Sequence, residues 1–463
     1  MLLTSAGGKL VADRTSSGEG VAVTRVLAEW ISSVDDAAVS ASALAWSRHT
    51  LLDWLAVAIA GASEPLVRML VAEFAGPGSG PCTLLGSAAR ARPLDAALIN
   101  GSAGHALDFD DVAQRMFGHP SVPVAPAALA LAQAGSATGR DLLRALVIGH
   151  EIESRVGELV GPGHYLHGFH ATGTMGTFGA AAACANLKRL DAGATAHALG
   201  LAATQAAGLK CMFGTMAKPL HAGKAAMNGL MAAQLAARGF TAHDSAIECE
   251  QGFARTQAPR LNPFSASIDT RAGFAIESTL FKFHASCYMT HSAIEAIGQA
   301  RERHGLDLDS LEAMTIELSG NHRGVCDIEN PRTGLNIKFS MQHLATLALD
   351  GADTAALDLY SEHTALDTRY VQARRRVALK VTEFADRSAA RVRIRTRDGR
   401  EITEQANVAV PATDLDAQWR RLVAKARTIV TPVIGAHRFE QLVMAVDTLD
   451  RAPSLQLLSE ALQ

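Results

Sequence analysis

The chain has 463 residues, 48% of them hydrophobic and 19% charged, with a formal net charge of -3. That length can bury a large core and suggests roughly two or three domains, while basic residues scattered through a near-neutral chain argue against a nucleic-acid or acidic-membrane surface. The six cysteines, Cys82, Cys184, Cys211, Cys249, Cys287 and Cys326, form no Cys-x-x-Cys pair and follow no secretory signal, which predicts reduced thiols in a soluble, cytoplasmic protein.

Residues 1–20 carry Lys9, Asp13 and Arg14 before any long apolar run and read as an irregular tail. From Val21 to about Phe253, Ala-rich segments alternate with Gly, Pro and Asp breakers, the pattern of an all-α domain over 21–265. Its uncharged stretches, such as Ser121 to Gly139, contain Pro, Gln and Ser and do not suit a bilayer. Between His221 and Gly239, the residues Ala222, Ala226, Gly229, Ala233 and Ala236 recur at steps of four and three, a smooth ridge that lets a neighbouring helix approach closely. Gly239 is placed to end that helix in a left-handed cap.

After about Asn262 the texture changes. Glu312–Ser319 and Arg375–Thr382 alternate polar and apolar residues as half-buried strands do. Arg391–Thr403 reads as a hairpin turning at Asp398-Gly399. A smaller α+β domain over 266–404 therefore follows the helical one, and helical patterning returns at Asp414–Ala426 and Phe439–Leu449. The fold class is mainly α with an α+β appendage.

Four polar islands interrupt this apolar chain. The first is Asn100-Gly-Ser-Ala-Gly-His-Ala-Leu-Asp-Phe-Asp-Asp-Val112 with Gly118-His-Pro-Ser121, two imidazoles and three carboxylates in about twenty residues. The others are Gly163-His-Tyr-Leu-His-Gly-Phe-His-Ala-Thr172, Phe213-Gly-Thr-Met-Ala-Lys-Pro-Leu-His221 and Lys282-Phe-His-Ala-Ser-Cys-Tyr-Met-Thr-His291. His164, His167 and His170 sit at i, i+3 and i+6. On a helix the first and third diverge by about 120°, too far to share one ion, and Pro162, Gly163 and Gly168 favour a loop, so no metal is expected there. Lys218 precedes Pro219 at a helix start, a place that favours an anion.

In this order the islands resemble the 2-methylcitrate dehydratase family, MmgE/PrpD, which also holds cis-aconitate decarboxylases and iminodisuccinate epimerases. The resemblance runs from about Leu51 to Gln342. It implies that residues 405–463 return to complete the helical domain, leaving the α+β part as an inserted lid, and that the protein is a homodimer without a cofactor. It also implies an active site with Asp108, His119 as its partner, His170 and Lys218, and with Tyr165 near the substrate, since Gly163-His-Tyr-Leu166 resembles the epimerase branch. Lys282, Cys287, His291 and His221 are the expected substrate contacts. Three departures from the decarboxylases stand out: Val112 replaces a Thr, Cys287 replaces a His, and no Tyr stands near Val325 and Cys326.

The reading that follows is a lyase acting on a small di- or tricarboxylate, taking a proton next to a carboxylate and eliminating water, with epimerisation as the alternative and decarboxylation behind both. Lys218 would steady the developing negative charge, and either His119 or His170 would be the base. Two other classes compete less well. Asp108-Phe-Asp-Asp111 matches the acid motif of alkene-protonating cyclases, but those need an aromatic cavity and aromatics are 5% here. A metal phosphohydrolase would use scattered His and Asp such as His243-Asp244, and a non-catalytic binding protein would not need the full set of Asp108, His119, His170 and Lys218.

Overall fold

The computed structural model describes residues 21–76, 80–384 and 386–463, so the expected tail over 1–20 lies outside the described residues. Two apolar cores organise them. The larger gathers Val23 through Ala285, then Ala355 and Leu422 through Leu462, while the smaller draws on residues between Ala293 and Ile402. The C-terminal helices Leu415–Ile434 and Ala436–Asp447 thus pack on the core that the first half of the chain builds.

Small side chains set the spacing of the helical core. Ala222, Ala226, Gly229, Ala233 and Ala236 are all buried along the Ala217–Ala236 helix. A Cβ added to Gly223 would stand 2.2 Å from the Leu98 carbonyl oxygen, and one added to Gly101 would stand 2.8 Å from the Gly223 Cα. The Pro93–Ala106 helix therefore touches the Ala217–Ala236 helix backbone to backbone. Gly239, at φ +84°, closes the latter, with the Phe240 N–H donating to the Leu235 carbonyl and the Gly239 N–H to that of Ala236, as in a Schellman cap.

Helix formation extends further than expected at the second island. The helix Gly139–Leu166 is broken by Gly161 (φ 59°, ψ -169°) and resumes through Pro162. The Asn262 side chain and N–H cap the interrupted turn at the carbonyls of Glu158 and Leu159. Tyr165 consequently rides on a short helical turn and not on a loop, because Pro at the start of a turn favours helix as readily as it ends one.

The smaller core is a four-stranded sheet, in the order Val377–Val381, Leu311–Leu318, Ala389–Thr396, Glu401–Asn407, with the first pair parallel and the others antiparallel. Its last two strands form the hairpin at Asp398-Gly399, where Gly399 takes φ +87°. The helices His291–His304 and Met341–Asp350 supply apolar residues to the same core. Among the described residues no single helix is long and apolar enough to cross a membrane.

Candidate active site

The first island takes its shape from one residue. The Pro93–Ala106 helix ends at Leu107, and Asp108 then adopts φ 51°, the left-handed region that Asp tolerates better than most residues. This reversal buries Phe109, Asp110 and Asp111 while leaving the Asp108 carboxylate half exposed. Lys218, in the first turn of the helix that Gly223 brings close, donates to Asp108 Oδ1 at 2.8 Å, and Lys282 donates to the same oxygen at 3.2 Å. Burial would raise the Asp108 carboxyl, but Lys282 and Lys218, then His119 and His105, hold it well below the ordinary range.

Asp110 sits between two imidazoles. His105 Nδ1 bonds Asp110 Oδ2 at 2.9 Å, and His119 Nδ1 lies 3.0 Å from the same oxygen. His119 Nε2 is 3.7 Å from Asp108 Oδ1. His119 thus meets the expected Asp108 through Nε2, but its closer carboxylate is Asp110, because Asp108 is drawn toward the two lysines. Burial acts against the ionised Asp110, yet His105 and His119 hold its carboxyl well below the usual range. His105 is fully buried, and desolvation lowers it to about 4 even against the pull of Asp110, so at neutral pH it is an uncharged donor.

His170 completes the cluster from the second island. Its ring stacks on His105 with centroids 5.6 Å apart, and its Nδ1 lies 3.0 Å from that of His221. Its N–H donates to the Gly208 carbonyl, which ties this island to the segment leading into Lys218. Burial, then His105, Lys218 and His119, push His170 strongly down, so it remains neutral. Phe213 meets its edge at 5.0 Å. Tyr165 is held from above and behind, with Lys210 Nζ 3.7 Å over its ring and also donating to its carbonyl at 3.2 Å. Its phenol is raised by burial and by the Asp108 charge.

The remaining residues of the second and fourth islands divide between this cluster and its surroundings. His164 points into the core, bonding the Gln257 carbonyl at 2.9 Å and Thr174 Oγ1 at 2.8 Å, and His167 is exposed, so neither joins His170 around a common point. Lys282 is buried beneath Asp108. Cys287 lies on the side of the smaller core, where a hydrogen bond with Cys326 and the Lys282 charge lower its thiol despite burial. His291 is buried behind, edge-on to His284 at 4.8 Å, and lines a separate cavity of about 400 Å³ with Glu295, Gln418 and Arg421. It is therefore not brought to Asp108.

His105 and Asp110 are absent from the residues singled out in the sequence, where three nearby carboxylates offer no means of choosing among them. The signal was their spacing across the helix end, legible only once Asp108 is known to reverse the chain. Donor atoms of His105, Asp108, Asp110 and His119 lie within 4.8 Å of one another, a set able to surround a cation. Two ammoniums already bond Asp108, and His105 and Asp110 bond each other, so a divalent ion would meet like charge and engaged ligands. The arrangement suits proton transfer beside an anion site.

Residues 25–262 match the MmgE/PrpD N-terminal domain and residues 284–450 the MmgE/PrpD C-terminal domain. A cis-aconitate decarboxylase of Aspergillus terreus is 28% identical, over 94% of this chain and 96% of its own. A cis-aconitate decarboxylase-like protein of Aspergillus oryzae is 26% identical over 95% and 96%. Human cis-aconitate decarboxylase is 34% identical over a shorter stretch, 46% of this chain and 45% of its own. With its two domains matched in succession over most of its length, the chain belongs to the MmgE/PrpD family.

Proposed function

We propose that this protein is a cofactor-independent lyase that removes a proton from the carbon next to a carboxylate of a small di- or tricarboxylate and expels water from the neighbouring carbon. The observation that carries the reading is Asp110 set between His105 and His119, directly beside the two ammoniums on Asp108. A C–H beside a carboxylate is very weakly acidic, so the base needs a charged partner and the developing charge needs cations. Lys218 and Lys282 supply the cations. His119 Nε2 is the base, since carboxylates flank both of its nitrogens. His170 lies among imidazoles, Lys218 and the Phe213 ring and stays a neutral group that orients the departing hydroxyl with His221.

The proton balance closes on one residue. His119 takes the proton from carbon, the electron pair moves into the new double bond, and the imidazolium returns the proton to the departing hydroxide, which leaves as water. Decarboxylation is the second reading, favoured by the activity for which the full-length relative is named. The residues at Val112, Cys287 and Val325, where decarboxylases carry Thr, His and a nearby Tyr, weigh against it; Val325 is an exposed apolar side chain that offers no hydroxyl. Epimerisation keeps one supporting feature, the Tyr165 phenol within the field of Asp108.

Proton NMR in heavy water on citrate, methylcitrate, cis-aconitate and iminodisuccinate tests the reading. Formation of an alkene from a hydroxy acid supports it. Release of carbon dioxide from cis-aconitate alone replaces it with decarboxylation, and inversion of iminodisuccinate without elimination replaces it with epimerisation.

A further inference from the structure

The chain reversal that carries Asp108 and Asp110 is held by two buried lysines. Lys282 Nζ donates to the Asp108 carbonyl at 2.5 Å, and Lys425 Nζ donates to the next carbonyl, that of Phe109, at 2.8 Å. Lys425 comes from the C-terminal helix Leu415–Ile434 and is 3% exposed. Its ammonium also bonds Asp53 Oδ1, on the buried helix Ala41–Gly61, at 2.6 Å, and lies 4.0 Å from the centre of the Phe109 ring. Among the described residues Lys425 is the only donor to the Phe109 carbonyl. Further along, Val112 exchanges two backbone hydrogen bonds with Leu280, at 2.8 and 2.9 Å.

A buried Lys–Asp pair adds little stability over apolar side chains of similar volume, so the ion pair alone gives no reason for a lysine at this depth. Its second bond does. The Phe109 carbonyl belongs to the peptide plane that joins Phe109 to Asp110, and fixing that plane constrains ψ of Phe109 and φ of Asp110 together. Those two angles aim the Asp110 side chain, whose Oδ2 bonds His105 Nδ1 at 2.9 Å and lies 3.0 Å from His119 Nδ1. Lys282 fixes the preceding plane in the same way, just after Asp108 has taken its left-handed φ of 51°. A left-handed φ is less favourable for Asp than a right-handed one, so the reversal relies on bonds from outside it.

We propose that Lys425 is a positioning residue for proton transfer: by holding the Phe109 carbonyl it keeps the Asp110 carboxylate between His105 and His119. The proposal rests on the reading above that His119 is the base. Lys425 touches no substrate and moves no proton; Asp53 holds its ammonium where it reaches the carbonyl. The C-terminal helix thereby shapes the active site as well as completing the larger core.

The test compares Asp53→Asn with the double variant Asp53→Asn and Lys425→Met in the full-length protein. Both lose the ion pair, and only the second loses the bond to the Phe109 carbonyl. The first readout is the downfield proton resonance of the His105 imidazole N–H bonded to Asp110, identified by its disappearance in Asp110→Asn. It needs no substrate, so a failure of the lyase reading stays distinguishable from a failure of this one. The resonance should persist in Asp53→Asn and be lost in the double variant. On the substrate that turns over in heavy water, kcat should fall about 10- to 100-fold further in the double variant than in Asp53→Asn, with KM changed less than about threefold. Retention of the resonance in the double variant, its equal loss in both, or an equal kcat in both would overturn the proposal. If the double variant does not fold, Asp53→Leu with Lys425→Leu, an apolar pair, takes its place in the same comparison.

Discussion

Asp110 and Asp111 are neighbours in sequence, equally buried, and end in opposite states. Asp110 meets two imidazoles and is held ionised. Asp111 faces Asp53 and Asp110 and bonds only the Ser121 hydroxyl, at 2.5 Å, and the Ser121 N–H, at 3.2 Å; burial and the two like charges push its carboxyl well above the ordinary range. Behind it Ser121 reaches His150 at 3.2 Å, and Glu153 is raised in turn by burial and by Asp111. Burial alone therefore does not determine whether a carboxyl in this protein carries charge. Its partners decide, and the boundary between reactive cleft and inert core passes between two adjacent residues.

The strongest way to break this comparison is to neutralise each member. Asp110→Asn should cut turnover by about 10²- to 10⁴-fold, because His119 loses the carboxylate that orients its imidazole. Asp111→Asn should leave turnover within about threefold, since an amide reproduces a protonated carboxyl at Ser121. Comparable losses in the two variants would show that the distinction is false.

Next in size is Lys218→Ala, expected to lower turnover by about 10²- to 10³-fold through loss of one cation at the developing charge. Lys218→Arg should bind substrate yet recover little rate, because a planar fork replaces a compact ammonium on Asp108. Near-normal kinetics in either variant would take Lys218 out of the chemistry.

A smaller effect sharpens the comparison through pH. Asp111 has a raised folded pKa, so the folded state holds its proton after the unfolded chain has released it. Its contribution is present below the unfolded value of about 3.8 and is lost as pH rises toward the folded pKa. Asp111→Asn should therefore gain stability relative to the parent as pH rises above about 4, by up to about 1.4 kcal/mol per unit. Asp110, with a depressed pKa, contributes stability above about 3.8 that disappears only as pH falls through its folded value. Thermal melts of Asp111→Asn above about pH 4 and of Asp110→Asn below it check the opposite slopes. The smallest expected change is in Tyr165→Phe, which should keep rate within about threefold if elimination is correct; loss of turnover with deuterium still entering the substrate would favour epimerisation instead.

Much of the helical half was legible in the sequence because its signals are local. The Ala222–Ala236 ridge, the Gly239 cap and the Asp398-Gly399 turn each follow from side-chain size or backbone freedom at a few residues. The cleft was legible as four islands, yet nothing in them singled out His105 or Asp110 as the groups that hold His119. The missing information was the left-handed turn at Asp108 and the contact between the two cores, neither of which has a local pattern. Tyr165 shows the converse limit: Pro162, Gly163 and Gly168 read as a loop, whereas Asn262, about a hundred residues away, caps the turn broken at Gly161 and lets the helix resume.

The assignment of His119 as the base is the centre of this account, and deuterium entry into the substrate measures it most directly. With the substrate identified from the dicarboxylate and tricarboxylate panel, exchange in heavy water should vanish in His119→Gln and persist in His170→Gln, even where His170→Gln slows elimination, because burial, His105 and Lys218 disfavour a proton on His170 and leave it a poor acceptor. Exchange at the parent rate in His119→Gln, or its loss only in His170→Gln, would contradict the account.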